Sequence, residues 1–274
     1  MCNIRVSIWG LGLNCKRILK MLNCNSHDKV LELNISRPPV NAINTELIRA
    51  LHQQIESALA DGYEAVVLSG QPEIFSAGLD VPELMGLRRP QMEQFWIEFM
   101  ALLQCIANCP IPIVAAITGH SPAGGTVLAL PCDYRIMASG SVKGPYKIGL
   151  NEVQVGLVVP QAIYYSLLRL TGERQAGNLV VEGKLIDSEE AYKCGLVDEL
   201  QPTKEVVSAA ISWCQRHLAL PRQAMLKTRA IVRKPLMDWY ADAGSEGVTD
   251  FVDHWFHDST QNVLQMLVAQ LGKK

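Results

Sequence analysis

Ile74-Phe75-Ser76-Ala77-Gly78-Leu79-Asp80, joined further on by Ser121-Pro122-Ala123-Gly124-Gly125, decides the reading of this chain. Each is a tight turn of small residues that follows an apolar run (65–68 and 113–117) and precedes a helical pattern. Glycine lacks a Cβ, so a ligand atom can approach the main chain closely there. Amides freed at such turns, or at a helix N-terminus, point outward as unpaired donors. Two such turns that converge can aim two N–H groups at one developing negative oxygen. In such a hole each donor typically lowers a barrier by about 3 kcal/mol.

Outward from the turns, strand and helix patterns alternate. Residues 30–35 alternate apolar and polar side chains as a strand does, and Pro38-Pro39 ends the run. Asn44 or Thr45 can cap a helix running to about residue 60, with Leu47, Leu51, Ile55 and Leu59 at helical spacing. Residues 65–69 read as a buried strand, 91–108 as a helix, 113–117 as a strand. A helix to about residue 131 and a strand over 134–138 follow. The alternation predicts an α/β fold with parallel strands joined by helical crossovers. Beyond residue 161 the pattern is almost wholly helical, over 162–170, 173–182, 188–194, 204–218, 221–233 and 258–271. The predicted organisation is an N-terminal extension (1–28), a core (29–200) and a helical C-terminal region (201–274) that serves as cap, dimerisation surface or both.

Composition excludes several classes. A formal charge of −2 and a pI near 6.3 give no electrostatic case for nucleic acid or an anionic membrane. No apolar run approaches the roughly 20 residues that span a bilayer. The 8 cysteines are scattered, without a CxxC pair, and read as reduced core thiols rather than a disulfide or metal framework. Neither a resident metal nor a cofactor is expected. The first 28 residues carry Arg5, Lys16, Arg17 and Lys20 but no acid before Asp28. That bias resembles an organelle transit peptide, and equally fits a dispensable extension or an upstream start. Gly10-Leu11-Gly12 lacks the third glycine of a dinucleotide fingerprint. The cytoplasm is the expected compartment, the mitochondrial matrix the alternative.

Two groups are candidates for chemistry. Gly119-His120-Ser121-Pro122-Ala123 sits between strand and helix as a nucleophile elbow does, but alanine replaces the elbow's last glycine and Pro122 removes an amide. Asp187, Asp198, His217, His254 and His257 are available to complete a triad, which in a chain with 6 histidines carries little information. The blander reading of Ser121 is a small turn residue. The second candidate is Glu152, within Gly149-Leu150-Asn151-Glu152-Val153-Gln154-Val155-Gly156. Burial among these apolar neighbours would raise its pKa toward neutrality, as suits a general base.

Phe75-Ser76-Ala77-Gly78-Leu79-Asp80, Pro122-Ala123-Gly124-Gly125, Cys132-Asp133-Tyr134-Arg135-Ile136 and Gly149-Leu150-Asn151-Glu152 together resemble, in order, the crotonase (enoyl-CoA hydratase/isomerase) superfamily. Pro38-Pro39-Val40-Asn41, Asp258-Ser259-Thr260-Gln261 and Leu264-Gln265-Met266 resemble its mitochondrial-type Δ3,Δ2-enoyl-CoA isomerase branch. The resemblance covers roughly residues 30–274. It implies a ββα superhelix, a homotrimer or dimer of trimers through the helical C-terminal region, and an acyl-CoA thioester substrate.

Carried over by position, the resemblance gives Ala77 and Gly124 as the two oxyanion amides and Glu152 as the acid/base. Ser76, Gly78, Asp80, Gly125, Leu150 and Lys227 are expected beside the substrate, though Asp80 also reads as a helix cap. Lys227, Arg229, Arg233 and Lys234 are candidates for coenzyme A phosphates, in the same or a neighbouring subunit, against a solvated helix face. Met85, Phe95, Trp96 and Phe99 suit an acyl tunnel or ordinary core. Hydratases of the family add a second glutamate after the glycine turn; that position here is Val127. One carboxylate suffices to move a double bond, so the expected activity is isomerisation of a 3-enoyl-CoA to the 2-trans isomer. The loop 139–147, a few residues longer than the family pattern, precedes Glu152. The alternatives are another crotonase-fold reaction (hydration, thioester hydrolysis or decarboxylation) and a non-catalytic acyl-CoA-binding protein.

Overall fold

The computed structural model of the protein describes residues 21–242 and 245–271. The basic N-terminal segment with Gly10-Leu11-Gly12, and Cys2 and Cys15, lie outside the described residues. The chain opens with a hairpin, β1 (Leu22–His27) and β2 (Val30–Ile35), then α1 (Thr45–Ala58). From there strands arrive in consecutive pairs. These are β3 (Ala65–Ser69) with β4 (Glu73–Ile74), β5 (Ile113–Ile117) with β6 (Gly119–Pro122), and β7 (Tyr134–Ala138) with β8 (Lys147–Gly149). Helices α2 (Val81–Leu84) and α3 (Arg89–Asn108) follow the first pair, and α4 (Gly124–Ala129) the second. The third leads through a 3₁₀ turn (Glu152–Val155) into α5 (Gln161–Thr171) and α6 (Glu173–Glu182).

The first member of each pair joins one sheet and the second joins another. Among the described residues, one sheet has the order β1-β2-β3-β5-β7-β10, with β10 at Glu199–Gln201. The other runs β4-β6-β8-β9, with β9 at Ile186–Asp187. Apart from the β1–β2 hairpin and the β8–β9 pair, neighbours are parallel. Strand, strand, helix, repeated around two sheets, is the ββα superhelix that the resemblance implies.

Sequence explains the layering. Strands β3 and β5 (AVVLS and IVAAI) are buried along their whole length, as continuous apolar runs are in a parallel sheet covered on both faces. Helix α8 (Val206–Leu218) packs on β3, β5 and β7, while α1 packs on α3. Asn44 accepts the Leu47 amide and caps α1 as expected. The remaining helices are α7 (Ser188–Lys193), α9 (Arg222–Ala241), α10 (Ser245–Trp255) and α11 (Asp258–Leu271). No helix of the described residues is long and apolar enough to cross a membrane.

Three differences from the sequence reading have physical causes. Strand β1, placed with the N-terminal extension, is an exposed edge strand of polar residues (LNCNSH) without an apolar alternation. Helix α9 runs eight residues past the expected end, through Pro235. An interior proline costs about 3 kcal/mol. Buried Leu236 and Tyr240, the latter bonded to Ser166 (3.1 Å), offset it. Helix α10 was missed behind a glycine-rich start, although Val248, Phe251, Val252 and Trp255 recur at helical spacing. Of the described cysteines, Cys109, Cys132 and Cys214 are buried thiols and Cys24 is exposed on β1.

Candidate active site

The loop after β4 is held in place by the segment that follows β2. Asn41 donates from Nδ2 to the carbonyls of Ile35 (3.0 Å) and Phe75 (3.1 Å), and its Oδ1 accepts the Arg37 amide (2.8 Å). Its own carbonyl takes the Ser76 hydroxyl (2.8 Å). The amides of the loop are then nearly all spent. Ala77 N–H donates to Val40 O (3.0 Å), Gly78 N–H to Ser76 Oγ (3.2 Å) and Asp80 N–H to Ile43 O (2.9 Å). Leu79 N–H has no acceptor among the described residues.

This corrects the assignment of Ala77. Its amide belongs to the Val40 carbonyl, and the free donor is two residues on, at Leu79. Counting from the small-residue turn did not reveal it, because which amide is left over depends on bonds to the distant Val40–Ile43 stretch.

The second loop supplies the other donor. Ala123 N–H is fixed on Gly149 O (2.8 Å). Ala123 itself adopts φ 46°, ψ −120°, a positive-φ conformation that costs a non-glycine residue on the order of 1–3 kcal/mol. Gly124 N–H opens α4 and has no acceptor among the described residues. The loops approach so closely that a Cβ built on Gly124 would lie 3.2 Å from Leu79 N and 3.1 Å from Gly78 Cα. One built on Gly78 would lie 3.1 Å from Gly124 N. At Gly125 an added Cβ would meet Ser76 O at 2.6 Å. Two unpaired amides therefore sit side by side, past the C-terminal ends of β3 and β5.

The strand that leads to Glu152 is tethered beside the same loop. Thr126 Oγ1 accepts the Gly149 amide (2.9 Å), and Pro122 pairs with Gly149, so the end of β8 is stitched to the start of α4. Three residues further, at most about 11 Å along the chain, Glu152 begins the 3₁₀ turn. The residue is part-exposed, but its Oε2 is shielded from solvent and has no hydrogen-bond partner. Burial raises the carboxyl pKa to about 7, opposed only by its own backbone N–H. No charged neighbour contributes. Val127, at the second-glutamate position, is buried within the wholly buried α4. The turn is braced from afar: Thr260 on α11 donates from Oγ1 to Gly156 O (2.8 Å).

Other expected site residues have structural duties. Ser76 is buried as the hub of its turn, and Leu150 lies in the core. Asp80 caps α2 through the Glu83 amide (3.1 Å) and pairs with Arg37. Arg229 and Arg233 are not phosphate ligands in this chain, because both bind Asp133 (2.8 and 3.1 Å). Lys234 pairs with Asp238 (2.9 Å). Lys227 is exposed, two residues from Arg229, which reaches the N-terminal ends of β5 and β7. Phe95 and Phe99 are core; Trp96 also stacks on Phe251 (3.5 Å, 4°) and lines a cavity of about 950 Å³ with Met100, Val158, Tyr164 and Trp239.

Ser121 is no nucleophile elbow. Its Oγ is buried without a partner, and His120 turns its Nδ1 to the Lys147 amide (3.0 Å). Asp187 caps α7, Asp198 pairs with Arg135, and His217 stacks on Trp213. His254 and His257 bond to Asp250 and Ser259.

Comparison with known proteins agrees with this architecture. The family model described as enoyl-CoA hydratase/isomerase matches residues 25–269. Mitochondrial enoyl-CoA delta isomerase 1 of Homo sapiens is 33% identical over 247 residues, covering 89% of this chain and 81% of that protein. A Mycobacterium avium protein described as "Probable enoyl-CoA hydratase" is 37% identical over 199 residues, covering 72% of this chain and 76% of it. The crystal structure of human mitochondrial delta3-delta2-enoyl-CoA isomerase superposes with a TM-score of 0.86 at 31% identity, covering 92% of this chain and 98% of that one.

Proposed function

This chain belongs to the enoyl-CoA hydratase/isomerase family, and from that premise we propose that it is a Δ3,Δ2-enoyl-CoA isomerase with Glu152 as its single proton shuttle. One observation supports the reading: a desolvated carboxylate, unpartnered at Oε2 among the described residues, three residues beyond the Gly149 that is bonded to the start of α4, with valine where a second acid would stand.

The thioester oxygen of a 3-enoyl-CoA sits between the N–H groups of Leu79 and Gly124. Glu152 removes a proton from C2, and the electron pair spreads through the double bond onto that oxygen as a dienolate. The protonated carboxyl then delivers the proton to C4 as the C2–C3 double bond forms, giving the 2-trans-enoyl-CoA. Base and acid are the same group, so no water enters the balance. A carboxyl with a pKa near 7 suits both halves, being ionised enough to accept and acidic enough to return the proton. Hydration needs a water held and activated between two acids, and Val127 cannot take that part. The cavity lined by Trp96, Met100 and Val158 follows directly on the Glu152 segment and is large enough for an acyl chain.

The test is a pair of spectroscopic assays on the purified protein. Isomerisation of 3-cis and 3-trans substrates creates a conjugated thioester, whereas hydration of a 2-trans substrate removes one. Isomerase turnover that collapses in Glu152→Gln, with coenzyme A ester binding retained, supports the reading. Hydration as the faster reaction assigns the chain to the hydratases of its family. Binding without turnover on every chain length leaves an acyl-CoA-binding protein.

A further inference from the structure

Beside the N-terminal ends of β5 and β7 lie Asp133, Asp198, Arg135, Arg229 and Arg233, with Arg169 near enough that its charge feels Arg135, Arg233, Asp133 and Asp198. Asp133 accepts Arg229 Nε and Nη2, both at 2.8 Å, and Arg233 Nη1 at 3.1 Å. Arg233 Nη2 donates to the carbonyls of Ile106, Ala107 and Pro131. Asp198 takes Arg135 Nη2 (2.6 Å) and the Arg135 amide (2.8 Å), and Arg135 Nη1 reaches Cys132 O (2.9 Å).

Four guanidinium groups thus face two carboxylates. Arg169, on the last turn of α5, has no carboxylate partner among the described residues; its Nε and Nη2 are shielded from solvent and find no acceptor there. Arg135 and Arg233, both almost fully buried, each leave Nε unpaired as well. Among the described residues no further anion stands beside these groups. Burial pushes the Cys132 thiol up to about 12 even beside Arg135 and Arg233, and raises the Tyr240 hydroxyl. Desolvation and then Arg135 and Arg233 hold Arg169 down to about 10, against the weaker pull of Asp133 and Asp198. A water molecule can satisfy an N–H, but it does not neutralise an uncompensated buried charge, which is the costlier defect.

We propose that the unpaired edges of Arg169, Arg135 and Arg233 form a binding site for one small inorganic anion. Arg169 is part-exposed as a residue, which gives an ion a way in from solvent. The ion would tie α5 to β7 and to α9, and the site is separate from the reaction assigned to Glu152.

The experiment follows thermal unfolding of the full chain in sodium chloride, bromide or phosphate, each replaced stepwise by gluconate at constant ionic strength. Binding predicts a saturable rise in stability. At a hundredfold excess over Kd the folded-to-unfolded ratio grows about a hundredfold relative to gluconate. The comparison among the three salts identifies the ion. Arg169→Met keeps the aliphatic stem and abolishes the saturable part; Arg169→Lys moves its midpoint to at least tenfold higher anion. A bromide-soaked crystal of the unaltered protein places an anomalous peak among the three side chains, whatever the variants do. An equal response to gluconate and halide, or a full response in Arg169→Met, overturns the proposal. So does an anion-insensitive protein whose Arg169→Met variant falls apart into smaller assemblies, because a carboxylate from a second copy would then fill the site.

Discussion

At the scale of the residue, the decisive group is a carboxyl made weak by lack of company. Glu152 should give kcat/KM for isomerisation a rising limb with an apparent pKa near 7, since only the ionised form accepts the C2 proton. A pH–rate profile checks it, and a limb near 4.5 would place the base elsewhere. Glu152→Gln should lower kcat roughly 10²–10⁴-fold while ligand affinity changes little. The same shift has a stability cost. The native carboxyl holds its proton to about pH 7 while the unfolded one releases it near 4.5, so the folded state binds more protons in that window. Stability therefore falls as pH rises from about 4.5 to 7 and then levels. Glu152→Gln should be more stable than the unaltered protein at pH 8 by about 3 kcal/mol, and no more stable at pH 4. Urea unfolding at the two pH values decides it. The oxyanion pair is tested by replacing single amides with esters. Loss of the Leu79 N–H should cost 10²–10³ in kcat, whereas loss of the Ala77 N–H should register in stability through Val40. Equal kinetic effects would restore Ala77 as a donor. The burial of Glu152 was legible because an acid among apolar residues is conspicuous. Leu79 was not, since the amide left unpaired is defined by what its neighbours bond to.

At the scale of the element, two devices hold the site's scaffold. The first is Asn41, whose side chain and carbonyl clamp the loop carrying Leu79 from a positive-φ position. Asn41→Ala removes the bonds to Ile35 and Phe75 and should cost on the order of 1–3 kcal/mol, with kcat falling as the loop shifts. Stability lost without any change in kcat would confine Asn41 to folding. The second is the fastening of α9. Asp133 holds Arg229 and Arg233 where they reach the carbonyls of Ile106, Cys109 and Pro131. Asp133→Asn strands two buried cations, and about 3–5 kcal/mol should be lost in urea unfolding. The sequence marked these arginines as cations with a phosphate in view. Charge alone does not separate a ligand-facing guanidinium from one that closes a core, because the partner lies a hundred residues away. Strands β3, β5 and β7 were legible to the residue, since runs such as IVAAI have one stable environment. Helix α9 beyond Pro235 was not, because tertiary anchoring overrode the local penalty.

At the scale of the molecule, the superhelix brings two distant turns into close approach. Consecutive strands go to different sheets, so the corner after β4 and the corner after β6 arrive on the same side, one repeat apart. That spacing was readable in outline from two similar turns separated by a helix. The tie between the core and the C-terminal helices was not, since it rests on pairs such as Trp96 with Phe251. Phe251→Ala should cost about 3–5 kcal/mol and, by enlarging the cavity that both rings line, shift the range of chain lengths turned over toward longer chains. Kinetics on substrates of graded length would show it; an unchanged range would separate this cavity from the acyl chain. The Thr260–Gly156 bond has a consequence in time. During synthesis the segment with the proton-carrying side chain emerges well before the helix that steadies it. A nascent polypeptide halted short of Thr260 should already protect its sheet amides from exchange, yet gain its chemical competence only when the final helix has been laid down.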